Sequence, residues 1–220
     1  MGLNMELIVR KYNILVGLFV FICIPILLYA FEDSFSRTIL KETLSIVTIL
    51  SFTLIFSQFF ISRINKDIKY GNKMNKVLNF HKFLGYFIVV VLFFHPLYIV
   101  IPRYFEAGVD PIDAFWIMIT NYQSFGVLLG IVSWLLMLAL VITSYLRFKL
   151  GIEYRHWKLL HGVMSILFIL TATGHVISLG RHSDYAMSIF FILLVGISMI
   201  KLLNTYSTST TRKLGVKIEN

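Results

Sequence analysis

Residues 79–101 read NFHKFLGYFIVVVLFFHPLYIVI, and residues 158–179 read KLLHGVMSILFILTATGHVISL. Both stretches have the length, about 20 residues, that an α-helix needs to cross a hydrocarbon core. Each carries two histidines 14 positions apart, His81 and His95 in the first stretch and His161 and His175 in the second. The two stretches therefore predict a pair of transmembrane helices with ionisable rings inside the membrane.

Four further apolar runs, near 12–31, 38–61, 124–146 and 185–204, predict the rest of the fold. The chain is 14% charged, whereas about a quarter of the residues of a soluble domain are charged. The first run exceeds the core of a signal peptide and no small-residue cleavage site follows it, so we expect it to remain. We expect an all-α membrane protein: a six-transmembrane-helix bundle at 1–206, then a short cytoplasmic tail at 207–220 without regular structure.

Positive charges are distributed unevenly around these helices. Most of the 20 Lys and Arg residues fall on one predicted side, namely Arg10, Lys11, Arg63, Lys66, Lys69, Lys73, Lys76, Lys82, Arg147, Lys149, Arg155, Lys158, Lys201, Arg212, Lys213 and Lys217. Because positively charged loops stay in the cytoplasm, both termini are predicted to be cytoplasmic. The net charge of +9 is then a signal of topology and does not indicate nucleic-acid binding.

The segment between the third and fourth helices is predicted to be external. Pro102 and Pro111 are expected to break helices there, and Trp116 suits a segment at the membrane interface. On the fourth helix, Gly126 and Gly130 form a small-xxx-small pair, which predicts a close packing face.

The spacing of the four histidines predicts two facing pairs. Fourteen residues are close to four helical turns, so each helix presents its two histidines on one face, roughly 21 Å apart along the axis. The third and fifth helices both run outwards from the cytoplasm. His81 and His161 then form an inner pair and His95 and His175 an outer pair, one above the other across the membrane.

Two such pairs suit two b-type haems. Iron with an imidazole on each face has no open position, which favours electron transfer over oxygen binding. The one cysteine, Cys23, is not in a Cys-x-x-Cys-His motif, so haem would be bound non-covalently. A single intramembrane histidine often only hydrogen-bonds another helix, but four at matched depth predict a cofactor. A zinc or di-iron site needs ligands at one level, usually with carboxylates, and neither histidine helix contains Asp or Glu.

Small and aromatic residues near the histidines are candidates for contact with the cofactors. Gly85 lies one turn after the first histidine, and Gly162 and Gly174 flank the histidines of the fifth helix. A missing side chain would let a flat macrocycle approach the backbone at these positions. Phe168 lies midway between the two levels, either as an aromatic contact between the haems or as an ordinary packing residue.

Polar residues at the helix ends are further candidates. Haem propionates would pair with cations near either end of the histidine helices, or these cations simply snorkel to the interface: Arg155 and Lys158 at the inner face, Arg103 and Arg181 at the outer face. His156 and His182 lie in loops and are expected to be solvated. A second hypothesis places His182 beside the outer haem, where an acceptor would arrive.

Four stretches carry a family resemblance: His81-Lys-Phe-Leu-Gly-Tyr, His95-Pro96, Tyr154-Arg-His-Trp-Lys-Leu-Leu-His161 and Gly174-His175. They resemble the ferric reductase-like transmembrane domain, which ferric reductases, NADPH oxidases and the haem subunit of periplasmic methionine-sulfoxide reductase systems share. The resemblance covers essentially the whole chain. It implies six helices, two b haems between the third and fifth helices, and electron flow from the cytoplasm outwards.

The chain also differs from relatives of that kind. Full-length ferric reductases continue into a flavin- and nicotinamide-binding module, but 16 residues follow Asn204 here and contain no Gly-rich fingerprint. The resemblance is to a stand-alone form whose donor is a separate FAD- or FMN-containing flavin reductase or a membrane quinol. Superoxide-forming oxidases carry a histidine where this chain has Ile99. The sulfoxide-reductase subunit tends to lack the histidine found here as His81, which favours the two-haem ferric reductase type.

The resulting hypothesis is a di-haem b-type protein in the cell (plasma) membrane of a prokaryote. It would pass electrons from a cytoplasmic donor to an external acceptor, with ferric iron as the leading acceptor. One alternative is the haem-bearing subunit of an external reductase, such as a sulfoxide reductase. Another is a quinol-linked cytochrome b, although none of the four prolines lies in a Pro-Glu-Trp-Tyr loop. The alternative without a cofactor is a transporter or channel with incidental histidines.

Overall fold

The computed structural model describes residues 12–31, 38–61 and 71–218, and at 71–74 and 205–218 the backbone only. Within these residues, six helices are long and apolar enough to cross a membrane. They are α1 (Tyr12–Ala30), α2 (Ile39–Ile61), α3 (Gly71–Ala107), α5 (Phe125–Tyr145), α6 (Tyr154–Leu179) and α7 (Tyr185–Ile218), with a short helix, α4 (Pro111–Ile119), between α3 and α5. The prediction of six membrane helices is confirmed.

Side-chain caps mark where three of these helices begin. Asp110 accepts hydrogen bonds from two first-turn amides of α4, which starts at Pro111. Ser124 caps α5 in the same way, and Asp184 accepts from an amide in the first turn of α7 at 2.8 Å. Because the first amides of a helix have no partner inside it, these caps fix the ends of the connecting loops.

Two helices continue beyond their predicted ends. α3 runs through Pro96 and Pro102 to Ala107, so the prediction that Pro102 breaks the helix is wrong. Pro102 is fully buried, and membrane helices tolerate proline where neighbouring groups satisfy the freed backbone. α7 continues to Ile218, so the tail predicted to lack structure is helical up to that residue. Extending an existing helix needs no new nucleation, which is the costly step.

Five of the membrane helices form a closed ring. α2 packs along α3, α6 packs along α5, α7 lies against both α2 and α6, and α3 meets α5 more lightly. α1 packs outside this ring on α2 and α7. α3 and α6, the two histidine helices, share no extensive backbone contact within the described residues, so they face each other across the ring and not as packed neighbours.

The core lies among α2, α6 and α7. Phe56, Phe191 and Ile169 are at most 1% exposed, and the rings of Phe52 and Phe191 meet edge to face with centroids 5.0 Å apart. Since lipid is as apolar as these side chains, close packing and hydrogen bonds hold membrane helices together. One such bond joins α1 to α2 and runs from the hydroxyl of Thr53 to the carbonyl oxygen of Phe21 at 3.0 Å.

Candidate functional site

The outer pair, His95 on α3 and His175 on α6, comes together in the structure. The ring centroids are 6.0 Å apart and the ring planes are inclined by 83°. A metal bound to one nitrogen of each ring through bonds of about 2.0 Å would place the centroids roughly 6.3 Å apart. Both rings are half-buried. The separation therefore suits an iron atom between the two imidazoles.

The ring of His175 is held in a single tautomer. Its Nδ1 lies 2.8 Å from the carbonyl oxygen of Gly126 on α5. Because a carbonyl only accepts, Nδ1 must donate, and Nε2 keeps the lone pair that a metal ion needs. Gly130, one turn further along α5, makes room for the ring, since a Cβ there would lie 2.6 Å from Nδ1 of His175. The predicted packing face at Gly126 and Gly130 is confirmed, and it seats a candidate ligand.

His95 is oriented by its own helix. Pro96 has no amide hydrogen, so the carbonyl of Leu92, four residues earlier, has no partner in the helical ladder. The ring of His95 forms a hydrogen bond with the backbone of Leu92. Since that carbonyl can only accept, the ring donates one N–H and presents its other nitrogen for ligation. This is a physical reason for the His95-Pro96 dipeptide.

We expect Pro96→Ala to weaken the outer site while leaving α3 helical. The new amide would compete for the carbonyl of Leu92 and so deprive His95 of its partner. Loss of such an outer-shell partner typically costs about 10–100-fold in metal affinity, which a haem titration of the purified protein would measure. Pro102→Ala is the matched control, because it also restores an amide within α3. Equal weakening by the two changes would contradict the assignment.

The inner pair is assembled around His161. Its Nδ1 shares a hydrogen bond with the hydroxyl of Ser144 at 3.3 Å, and its ring stacks on Trp157 with centroids 5.1 Å apart. The indole N–H of Trp157 donates to the carbonyl oxygen of Thr143 at 3.2 Å, which anchors the stack. His81 lies close enough to interact electrostatically with His161. The structure thus brings the second predicted pair into one region.

α5, which contacts both α6 and α3, supports the site. Gly126 and Ser144, which bond the two histidines of α6, are 18 residues apart, or about five helical turns, so they share one face of α5. Trp134 of the same helix stacks on Phe93 of α3 with centroids 5.1 Å apart, two residues from the outer pair. Sequence reasoning assigned α5 only a packing role. Its polar Ser144 and its aromatic Trp134, both in an apolar helix, were the available signals.

The residues predicted to lie near a macrocycle have different surroundings in the structure. Phe168 is buried in the core together with Ile88 of α3, and each lies seven residues after a histidine of the inner pair. A Cβ at Gly85 would meet only Oε1 of Gln58, at 4.0 Å. Gly174 packs against α5 instead, because a Cβ there would lie 2.8 Å from Cδ1 of Leu129. The expectation that Gly174 makes room for a cofactor is therefore wrong.

The cations near the helix ends are placed differently from one another. Four proposed propionate partners have exposed side chains: Arg103, Arg155, Lys158 and Arg181. Arg147, which the sequence did not single out, is half-buried, and its guanidinium lies 4.5–4.9 Å from the ring centroids of Phe148, Tyr154 and Trp157. The density of aromatic residues around it was the available signal. Arg147 is thereby fixed beside the stack that supports His161.

The two histidines outside the predicted pairs also differ. His156 is 68% exposed and lies 3.5 Å from Glu153, as expected for a solvated loop residue. His182 is only 7% exposed, and its ring centroid lies 4.6 Å from that of Tyr29 on α1. The expectation that His182 is solvated is wrong, because the short connection between α6 and α7 folds inwards onto α1.

The donor set fits a bis-imidazole porphyrin. The imidazoles of His95 and His175 each donate from one nitrogen and leave the other available for a metal. The distance between the two imidazoles accommodates a metal ion. In the described part of the chain, no group of three or more His, Cys, Asp or Glu could hold a metal ion. The fold is that of an integral multi-pass membrane protein, and paired intramembrane imidazoles are typical of haem-binding electron carriers.

Comparison with known proteins identifies the family. The family described as "Ferric reductase like transmembrane component" matches residues 47–172, from α2 into α6, and this chain belongs to it. A flavin-binding domain is not found within these 220 residues. An uncharacterized protein of Archaeoglobus fulgidus is 41% identical over 160 residues, which cover 73% of this chain and 87% of that protein. No solved structure matches the chain. Membership indicates a role in electron transfer at a membrane.

Proposed function

We propose that this protein is a di-haem b-type electron-transfer protein of a prokaryotic cell membrane. It takes single electrons from a cytoplasmic donor and passes them to an external acceptor, with ferric iron as the first candidate. The observation that carries the proposal is the outer pair, whose rings lie 6.0 Å apart. The predicted inner pair, His81 and His161, lies 14 residues earlier on the same two helices.

The protein's own residues would bind and orient the cofactors. His81 and His161 are the proposed ligands at the inner level, and His95 and His175 at the outer level. Haem would supply the one-electron chemistry when bound, and two histidine ligands from the protein would leave no position for oxygen. The histidine rings donate to the carbonyl of Gly126 and to the backbone of Leu92 and share a hydrogen bond with the hydroxyl of Ser144. These bonds would fix ring orientation and strengthen the imidazoles as ligands.

The apolar packing between the inner and outer histidine pairs would keep water out of the electron path between the two proposed haems. Ile88, Phe168 and Met137 are at most 8% exposed and belong to one apolar cluster contributed by α3, α6 and α5. A dry, apolar surrounding disfavours extra charge and raises the influence of each nearby dipole on the iron sites. The two proposed haem sites would therefore be separated by packed apolar side chains.

The inner end of α6 supports a protein donor. Arg147 is held over three aromatic rings beside the stack on His161, and the exposed side chains of Arg155 and Lys158 follow in the first turns of α6. Fixed positive charge attracts acidic partners and speeds their encounter. A cytoplasmic flavin reductase that contains FAD or FMN and docks through an acidic surface would fit this end. A membrane quinol is the alternative donor.

The haem content of the purified protein tests the proposal. We expect the pyridine haemochrome to report two b haems per chain, and the reduced-minus-oxidised spectrum to show bands of six-coordinate, low-spin haem. A value of one haem would remove one histidine pair from the proposal. A protein without a Soret band would contradict it altogether and favour a transporter or channel.

A further inference from the structure

His81 differs from the other three paired histidines in one respect. The other rings each have a hydrogen-bond partner, whereas Nδ1 of His81 is buried and has none among the described residues. A histidine that ligates a metal almost always donates its second N–H to an acceptor, which fixes the ring and makes it more basic. His81 therefore lacks the partner that ligation through Nε2 would need.

Gln58 on α2 is the complementary case. Both Nε2 and Oε1 of its carboxamide are buried, and neither has a hydrogen-bond partner in the described part of the chain. Buried polar groups are rarely left unpaired, because desolvation without a new bond is unfavourable. The adjacent Ser57 shows the usual solution, since its hydroxyl donates to the carbonyl of Leu54 in its own helix at 2.6 Å.

The carboxamide of Gln58 lies next to the turn of α3 that carries His81. Its Oε1 is 4.0 Å from the point where a Cβ of Gly85 would sit, and Gly85 is one turn after His81. Cα–Cβ bonds of a helix tilt towards its N-terminus, so that point lies over the turn between the two residues. Oε1 of Gln58 thus lies beside the turn of α3 that begins with His81, and both side chains have buried polar atoms without a partner among the described residues.

We propose that Gln58 is a positioning residue for the inner haem, with its Oε1 accepting the hydrogen bond from Nδ1 of His81. Because Gly85 has no side chain, the Gln58 carboxamide has room to turn towards the ring of His81. Oε1 would then do for His81 what the carbonyl of Gly126 does for His175. The inference rests on the proposed function, because it assigns His81 as a ligand of iron.

Two near-isosteric variants test the proposal by the sign of their effects. Gln58→Met removes the acceptor, so His81 becomes less basic, the ferric form loses stabilisation and the midpoint potential of the inner haem rises. Gln58→Glu offers a stronger acceptor, so the same potential falls. We expect changes of about tenfold in the reduction equilibrium, and tenfold corresponds to about 59 mV for a one-electron couple. A redox titration resolves the inner haem as the component that His81→Ala removes.

Ser57→Ala is the matched control, because it alters the neighbouring buried side chain of the same helix and should leave both potentials unchanged. Loss of the inner haem in Gln58→Met but not in Gln58→Glu would also support the proposal. Unchanged potentials in both Gln58 variants, or shifts of the same sign, would overturn it. An unaltered protein that binds no haem would instead contradict the proposed function, so the two failures are distinguishable.

Discussion

His95→Ala should lose the outer haem and retain the inner one. The variant keeps His175, but a single imidazole opposite an alanine cannot complete the axial coordination that b-type electron carriers need. Haem content should fall from two per chain to one. Transfer to an external ferric chelate should fall by more than the roughly 10–100-fold that follows loss of an outer-shell partner. The pyridine haemochrome would measure the haem content, and stopped-flow reduction from the cytoplasmic side of inverted vesicles would measure the transfer.

His156→Ala is the control for that experiment. His156 is a histidine of the same chain, but it is 68% exposed and next to Glu153 in a loop. It should keep two haems and normal transfer. Ferric chelate reduction at the normal rate in His95→Ala would show that electrons do not pass through the outer pair, and the relay would have to be abandoned.

Gly130→Ala should disable the outer site without touching a ligand. A Cβ at this position would lie 2.6 Å from Nδ1 and 2.7 Å from Cε1 of His175. The ring cannot simply move away, because Nδ1 is bonded to the carbonyl oxygen of Gly126 at 2.8 Å. We expect about 1–3 kcal/mol of destabilisation from overpacking and about 10–100-fold weaker binding of the outer haem. Thermal unfolding and haem titration would report these effects separately.

Gly196→Ala is the matched control for Gly130→Ala. Both substitutions add one methyl group to a glycine inside a membrane helix, but a Cβ at Gly196 would meet nothing within 4 Å. This variant should bind two haems and unfold at the temperature of the unaltered protein. If Gly130→Ala behaved in the same way, the fixed placement of His175 against α5 would be wrong.

The sequence predicted the membrane helices well because the signal is strong and local. Runs of about 20 apolar residues have few alternatives to a transmembrane helix, and Tyr12–Ala30, Ile39–Ile61 and Phe125–Tyr145 agree with their predicted spans to within a residue or two. The ends of α3 and α7 were less predictable. Pro102 reads as a helix breaker in water, whereas buried contacts keep α3 continuous through it.

The candidate ligands were also accessible from the sequence, because a spacing of 14 residues repeated in two helices fixes which rings share a face. The partners of those ligands were not. Gly126 and Ser144 lie on α5, and only the packing of helices brings them to the histidine rings of α6. Gln58 lies on α2, and the same packing brings it beside Gly85 of α3. The inward fold of His182 onto Tyr29 likewise depends on where α1 sits.

The amino-acid sequence alone determined that this protein has six membrane helices and four intramembrane histidines at matched spacing. Hydrophobic length and helical period are local properties, so both could be read without knowing which helices are neighbours. The tertiary structure decided that α3 and α6 face each other across the closed ring of five helices. It also decided that α5 orients the imidazoles of His161 and His175 on α6. Ring tautomers, close approaches at glycine and unpaired amides depend on distances between segments remote in sequence, which local periodicity does not encode.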